Sequence, residues 1–239
     1  MTGMGTMINV AGVLIGGIIG SLFGKFLTER YQDAMMKVCG LCVIFIGISG
    51  ALEKILTISD GKLVSGGTMM MIGSFTMGTL LGEWMNIEQR MEQLGEWLKA
   101  KTGNAKDNLF VEGFVTTSLT ICIGAMAIVG SIQDGLLGDY SILAAKAVLD
   151  LIIVAIMTAA MGKGCIFSSI PVAILQGSVT LLAGFMEPIM TEAALHNLSL
   201  TGSMLIFCVG VNLFWGKTVK VANMLPTIVI AAVWAFLPI

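Results

Sequence analysis

The 239 residues are 56% hydrophobic and only 12% charged, with a formal net charge of −2 and a mean hydropathy of +0.93. A soluble domain would carry roughly a quarter of its residues charged, so the composition excludes an ordinary water-soluble protein. With 13 basic against 15 acidic residues there is no footprint for nucleic acid either.

Crossing a hydrocarbon layer takes about 20 apolar residues, and the sequence predicts an all-α integral membrane protein with about eight such segments in a single polytopic domain, 1–239. The first runs from Met4 to Leu27. No basic residue precedes it and no small-residue cleavage pattern follows a short core, so it is expected to remain as a spanning helix. Gly12, Gly16, Gly20 and Gly24 form an every-fourth-residue ladder along it, a bare stripe against which another helix backbone can pack. The same glycine-rich faces offer a surface for homo-oligomer formation. The second segment, Val38 to Leu56, carries Cys39 and Cys42 in its first turns. One CxxC pair, with His196 the only histidine, does not complete a zinc site, and no metal or cofactor is expected.

The third segment, Val64 to Trp84, leads into residues 86–101. Here Ile87, Met91, Leu94 and Leu98 follow helical spacing while Glu88, Arg90, Glu92, Glu96 and Lys99 fill the other face. This pattern predicts an amphipathic connector helix on the cytoplasmic surface, with Trp97 near the headgroups, or a solvated connector.

The fourth segment, Leu109 to Ile132, lies in the most informative stretch, EGFVTTSLTICIGAMAIVGSIQDGLLGD. Glu112, Thr116, Thr120 and Gly124 fall on one helix face, and Glu112 and Asp134 mark either the two mouths of a polar path or two solvated ends. In the fifth, Ile142 to Gly162, Asp150 lies about 12 Å into the span. Lys146, one turn earlier, can pair with it or snorkel to the surface. A mid-bilayer charge costs roughly 2.5–3.5 kcal/mol, so Asp150 is either a helix staple or a binding group. The sixth, Ile166 to Met186, repeats the stripe with Gln176, Thr180 and Gly184. The seventh, Leu198 to Trp215, holds Asn212. The eighth, Asn223 to Ile239, is short and has Pro226 in its first turn. Asn9, Asn212 and Asn223 lie nearer segment ends, where capping competes with binding.

Placing both termini outside the cytoplasm puts Lys25, Arg30, Lys37, Arg90, Lys99, Lys101, Lys106, Lys163, Lys217 and Lys220 inside, against Lys54, Lys62 and Lys146 outside. That asymmetry supports this orientation and the even number of crossings, and the protein is expected in the inner, cytoplasmic membrane. Gly40, Ile44, Phe45 and Gly47 match Gly202, Ile206, Phe207 and Gly210, a weak repeat that would be inverted across the membrane.

The central stretch, with GTMIN, LGEW, AKAVLD, QGSVTLLAG and VANMLP elsewhere, resembles the bacterial membrane-protein family catalogued as domain of unknown function 554, over almost the whole chain. The resemblance implies a membrane protein of the kind described as a transport protein, and implies no substrate. Members tend to have glycine after the acid of the fifth span, where this chain has Leu151.

The function expected is a transporter or channel for a small polar solute or ion, with a mid-membrane site between spans four, five and six. Asp150, Gln176, Thr116 and Thr120 are the central candidates, with Glu112, Lys146, Asp134, Asn9 and Asn212 around them. The alternative is a non-transporting binding subunit or scaffold, docked through the connector helix. An enzyme is not expected, because no HExxH, paired mid-membrane carboxylates or Ser with a nearby His occurs.

Overall fold

The computed structural model describes residues 2–59, 61–105 and 107–237; Lys106, placed above on the inner side, and Pro238 and Ile239, which close the eighth segment, lie outside them. The chain forms α1 (Met4–Gly24), α2 (Glu29–Ile55), a hairpin of β1 (Leu56–Ser59) and β2 (Lys62–Ser65), α3 (Thr68–Met85), α4 (Ile87–Lys101), α5 (Phe110–Cys122), α6 (Ala125–Leu137), α7 (Ser141–Met161), α8 (Ser169–Leu181), the single turn α9 (Ala183–Met186), α10 (Glu192–Trp215) and α11 (Pro226–Trp234). Turns of 3-10 helix, Lys163–Ser168 and Val221–Met224, lead into α8 and α11. The strands pair antiparallel, with Leu56 opposite Ser65.

Among the described residues, five helices are long and apolar enough to cross a membrane, or six if α5 and α6 count as one bent span. This differs from the eight expected segments for local reasons. The third folds as α3, whose 18 residues include Glu83, Ser74, three threonines and three glycines that dilute its apolarity. The fourth breaks at Ile123 and Gly124 and resumes at 64°. The eighth becomes a 3-10 turn and a nine-residue helix, with Pro226 at the first helical position, where its missing N–H costs nothing.

Close backbone contacts fix the direction of each helix against its neighbour. Along α1, Gly12, Gly16, Gly20 and Gly24 face the carbonyls of Ala147, Leu151, Ala155 and Ala159, so α1 and α7 run parallel. Leu151 thus presents its carbonyl, rather than its side chain, to the ladder. Gly40, Gly47 and Gly50 of α2 meet Phe214, Phe207 and Ser203 in reverse order, so α2 and α10 are antiparallel. Gly73, Gly78 and Gly82 of α3 meet Trp234, Thr227 and Asn223, again antiparallel. Two groups result, α1 with α7 and α8, and α2 and α3 with α10 and α11. They share a core in which Phe110, Phe114 and Leu119 of α5 pack on Met157 and Met161 of α7 and on Leu205 and Val209 of α10.

Residues 86–101 fold as α4 after Asn86. Ile87, Met91 and Leu98 pack toward that core, while Leu94 and Trp97 are exposed. Glu88, assigned above to the polar face, is instead buried. Its backbone N–H donates to Asn223 Oδ1 at 2.7 Å, and its carboxylate accepts the Ala222 N–H at 3.0 Å. Asn223 therefore caps α4 from the far end of the chain, satisfying one of the donors that a helix start leaves open.

Candidate functional site

On α7, Lys146 and Asp150 stand one turn apart and both are buried, 8% and 2% exposed. Lys146 Nζ donates to both carboxylate oxygens at 2.8 Å. The lysine does not snorkel. A buried pair of this geometry is neutral as a unit, and removing either partner strands the other's charge in a low-dielectric interior.

Around this pair α1, α6 and α8 contribute a set of buried polar side chains. Asn9 of α1 lies beside the Asp150 carboxylate. One turn nearer the α1 start, Thr6 shares a hydroxyl hydrogen bond with Thr180 of α8 at 3.3 Å, and Gln176 lies one turn deeper on α8. Asp134 of α6 is fully buried, not a solvated end. Its Oδ2 accepts the Gly5 N–H at 3.0 Å, so this carboxylate caps α1 at the positive end of its dipole. Ser131 precedes it on the same face of α6 and is also fully buried. Both amide atoms of Asn9, both of Gln176, Ser131 Oγ and Asp134 Oδ1 have no hydrogen-bond partner in the protein. Each unpaired buried polar group costs about 1–3 kcal/mol. Six of them converging from α1, α6 and α8 is more than helix–helix adhesion requires.

The break in the fourth segment sits at the same depth. The Ile123 N–H still closes α5 on the Leu119 carbonyl at 3.1 Å, and Gly124 then takes φ 152° and ψ 149°, a conformation open to glycine. The last carbonyls of α5 and the first N–H groups of α6 are thereby freed inside the bundle, where only a lined cavity or bound group can serve them. Cys122, the last residue of α5, is within electrostatic reach of both Lys146 and Asp150. Directly below, Ile121, Val13, Val154 and Val172 form an apolar layer. A side chain at Gly124 would meet no atom, so the space beside the break is open.

Glu112, Thr116 and Asn212 lie elsewhere. They line a cleft of about 610 Å³ between α4, α5 and the end of α10, together with Glu88, Glu92, Glu96 and Lys217. Lys217 bridges Glu88, at 3.0 Å, and Glu92. Partial burial works against its charge, but hydrogen bonds and the charges of Glu92 and Glu88 outweigh this and raise its pKa above the ordinary lysine value. Asn212 holds the turn after α10, accepting from the Thr218 and Val219 N–H groups and donating to the Val219 carbonyl. Thr120 spends its hydroxyl on the Thr116 carbonyl at 2.8 Å. The predicted candidates thus form two sets, a buried one (Asn9, Asp134, Lys146, Asp150, Gln176) and one in the cleft (Glu112, Thr116, Asn212), with Thr120 between them. Sequence reasoning passed over Ser131 and Thr6. The spacing of Ala127, Ser131 and Asp134 on one face of α6 is the signal that could have found Ser131.

Long apolar helices around a buried polar centre and a broken helix define a polytopic helical membrane protein. The chain belongs to the family described as "Protein of unknown function (DUF554)", whose model matches residues 4–236. It is similar to the "Uncharacterized membrane protein YdfK" of Bacillus subtilis (strain 168), with 30% identity over 232 residues covering 97% of this chain and 95% of that one. It is also similar to the "Uncharacterized protein YqgA" of Escherichia coli (strain K12), at 27% identity over 235 residues, 95% of this chain and 94% of the relative. No solved structure matches it.

Proposed function

We propose that the protein is a transporter or channel for a small polar solute or ion, which passes a mid-membrane site formed by α1, α6, α7 and α8 beside the break at Gly124. The observation that carries this reading is the convergence of unpaired buried polar atoms on freed helix ends next to an intramembrane ion pair. Discontinuous helices with ligands at their exposed termini are a recurring construction in secondary transporters. The acidic cleft supplies an inner approach, and Glu112, Thr116 and Thr120 lead from it along α5 toward the break. No bond-making chemistry is assigned to these groups, and the protein is not read as an enzyme.

Eight crossings fit this function best, with both termini outside the inner membrane. Parity supports the number. Parallel α1 and α7 need an odd count of crossings between them; α5 and α6 run from beside Met161 and Cys165 at the end of α7 to beside Leu143 at its start, so together they count as one. With α2 that makes two, and α3 must then return the chain before α5 begins. An inverted repeat draws support from α2 and α10, where Gly47 packs on Phe207 and, reciprocally, Gly210 on Ile44. The α1 ladder is covered by α7, so self-association through glycine is left to open positions such as Gly177 and Gly184.

The scaffold reading keeps one observation of its own, the exposed Leu94 and Trp97 on α4. Reconstituted vesicles separate the two. Jumps in sodium, potassium, pH, glycine or urea on one side should produce a current or uptake with at least one of these probes, and Gln176→Ala should lose it. Silence toward all of them, with a protein partner copurifying through α4, would favour the scaffold.

A further inference from the structure

The charges in the buried centre do not balance. Lys146 is consumed by Asp150, bonding both of its oxygens at 2.8 Å, which leaves Asp134 without a cationic partner. Asp134 is anchored by one oxygen only. Its Oδ2 accepts the Gly5 N–H at 3.0 Å, at the positive end of the α1 dipole. Its Oδ1 is buried and has no partner.

Three neutral oxygens without partners accompany it. Ser131 lies one turn before Asp134 on the same face of α6. Asn9 lies one turn beyond Gly5, the residue Asp134 holds, and Gln176 lies one turn beyond Thr180, whose backbone lies against Gly135 next to Asp134. All four side chains are buried, with Asn9, Ser131 and Asp134 at 0% and Gln176 at 1% exposure. One turn of helix is about 5.4 Å, so Ser131, Asn9 and Gln176 share one level of the bundle and Asp134 stands one turn from it, toward the α1 start. One carboxylate and neutral oxygens form a hard donor set. Among the described residues no three His, Cys, Asp or Glu side chains gather to hold a metal, which disfavours a divalent or transition ion. A divalent ion would also overcompensate the single free acid.

We infer that Asp134 Oδ1, Ser131 Oγ, Asn9 Oδ1 and Gln176 Oε1 bind a small monovalent cation of the sodium type. This deepens the transport reading and rests on it for a role, with the cation as the passenger or the coupling ion. It moves the ion from Asp150, the acid that stands out in the sequence, to Asp134.

The test is binding, so that it can fail independently of transport. Purified full-length protein in detergent is melted in sodium, potassium, calcium or choline chloride at matched ionic strength, and binding of radiolabelled sodium is measured directly. Sodium should raise the melting temperature saturably, and choline should not. Asp134→Asn keeps an oxygen for the Gly5 N–H while removing the charge; it should fold, and should lose the sodium response and at least tenfold in sodium affinity. Ser131→Ala and Gln176→Ala should weaken binding while leaving the melting temperature in choline within a few degrees of the parent. Equal melting in sodium and choline, a response to calcium alone, stabilisation that follows pH instead of sodium, or an unchanged response in Asp134→Asn would each overturn the inference. Sodium binding without flux would retain the site and remove the transport role. Flux of another probe without sodium binding would do the reverse.

Discussion

Replacing Asp150 by Asn should cost far more than the loss of one hydrogen bond. Lys146 Nζ sits 2.8 Å from both carboxylate oxygens and the pair is only 8% and 2% exposed, so the variant strands an ammonium in the interior. Breaking a buried pair from one side costs about 3–5 kcal/mol, and at about 2–4 °C per kcal/mol for a chain of this length the melting temperature should fall by about 6–20 °C. Lys146→Met should behave alike by stranding the carboxylate. The double variant Lys146→Met/Asp150→Leu strands nothing and should recover most of the loss, because apolar replacement of a whole buried pair is often neutral or stabilising. Thermal unfolding in one detergent of the parent, Lys146→Met, Asp150→Leu and the double variant gives all four corners of the cycle, and its coupling energy isolates the pair. Additive losses, with the double variant the least stable, would refute the buried pairing. The same double variant also separates staple from site: a staple predicts intact flux in a stable protein, whereas the transport reading predicts flux lost.

Four further outcomes follow from packing, capping and charge. Gly16→Ala should destabilise by about 1–3 kcal/mol, since the new methyl would collide with the Leu151 carbonyl. Gly177→Ala, at a position where a side chain meets nothing, should be neutral or slightly stabilising in the same melting assay. Asn223→Ala should free the α4 start from its cap and cost about 1 kcal/mol, read as faster amide exchange over Ile87–Met91. Finally, because the folded pKa of Lys217 lies above its ordinary 10.5, the stabilisation it draws from Glu88 and Glu92 is fully present below 10.5 and lost as pH rises through the raised value. The stability gap between the parent and Lys217→Met should therefore hold steady up to about pH 10.5 and shrink from there through the raised value.

Much of the fold was readable because lipid imposes simple rules. The long runs in α1, α2, α7, α8 and α10 announce themselves by length and apolarity, and Lys146 and Asp150 by their cost at that depth. The glycine ladder of α1 could be read as a contact surface, but not its partner, since helix pairing is a long-range choice that periodicity does not encode. The break at Gly124 was hidden for a similar reason. A glycine in an apolar run serves equally well for packing and for an abrupt turn, and only the 64° change of direction separates the two uses. Asp134 lies near the end of α6, as its place in the sequence suggests, yet it is buried rather than solvated, because the bend brings it against Gly5 at the α1 start, 129 residues away in sequence. Glu112 and Thr116 share a face with Thr120, as the spacing predicts, yet that face opens on the acidic cleft rather than on Asp150. The stripe therefore marks an approach, and the buried centre is assembled from four helices whose individual polar residues look unremarkable.

The most direct measurement of the central claim is the water accessibility of that centre from each side of the membrane. In a cysteine-free background, Gln176→Cys and Ser131→Cys would be exposed in intact cells and in inverted vesicles to a small, membrane-impermeant, positively charged thiol reagent, with Thr116→Cys as a reference for the inner cleft. The account predicts that Thr116→Cys reacts from the inner side alone, while the two central cysteines react from both sides, as a path that opens alternately requires. Central cysteines that react from neither side, in variants that melt like the parent, would show a dry structural core and contradict the proposal of a transport site.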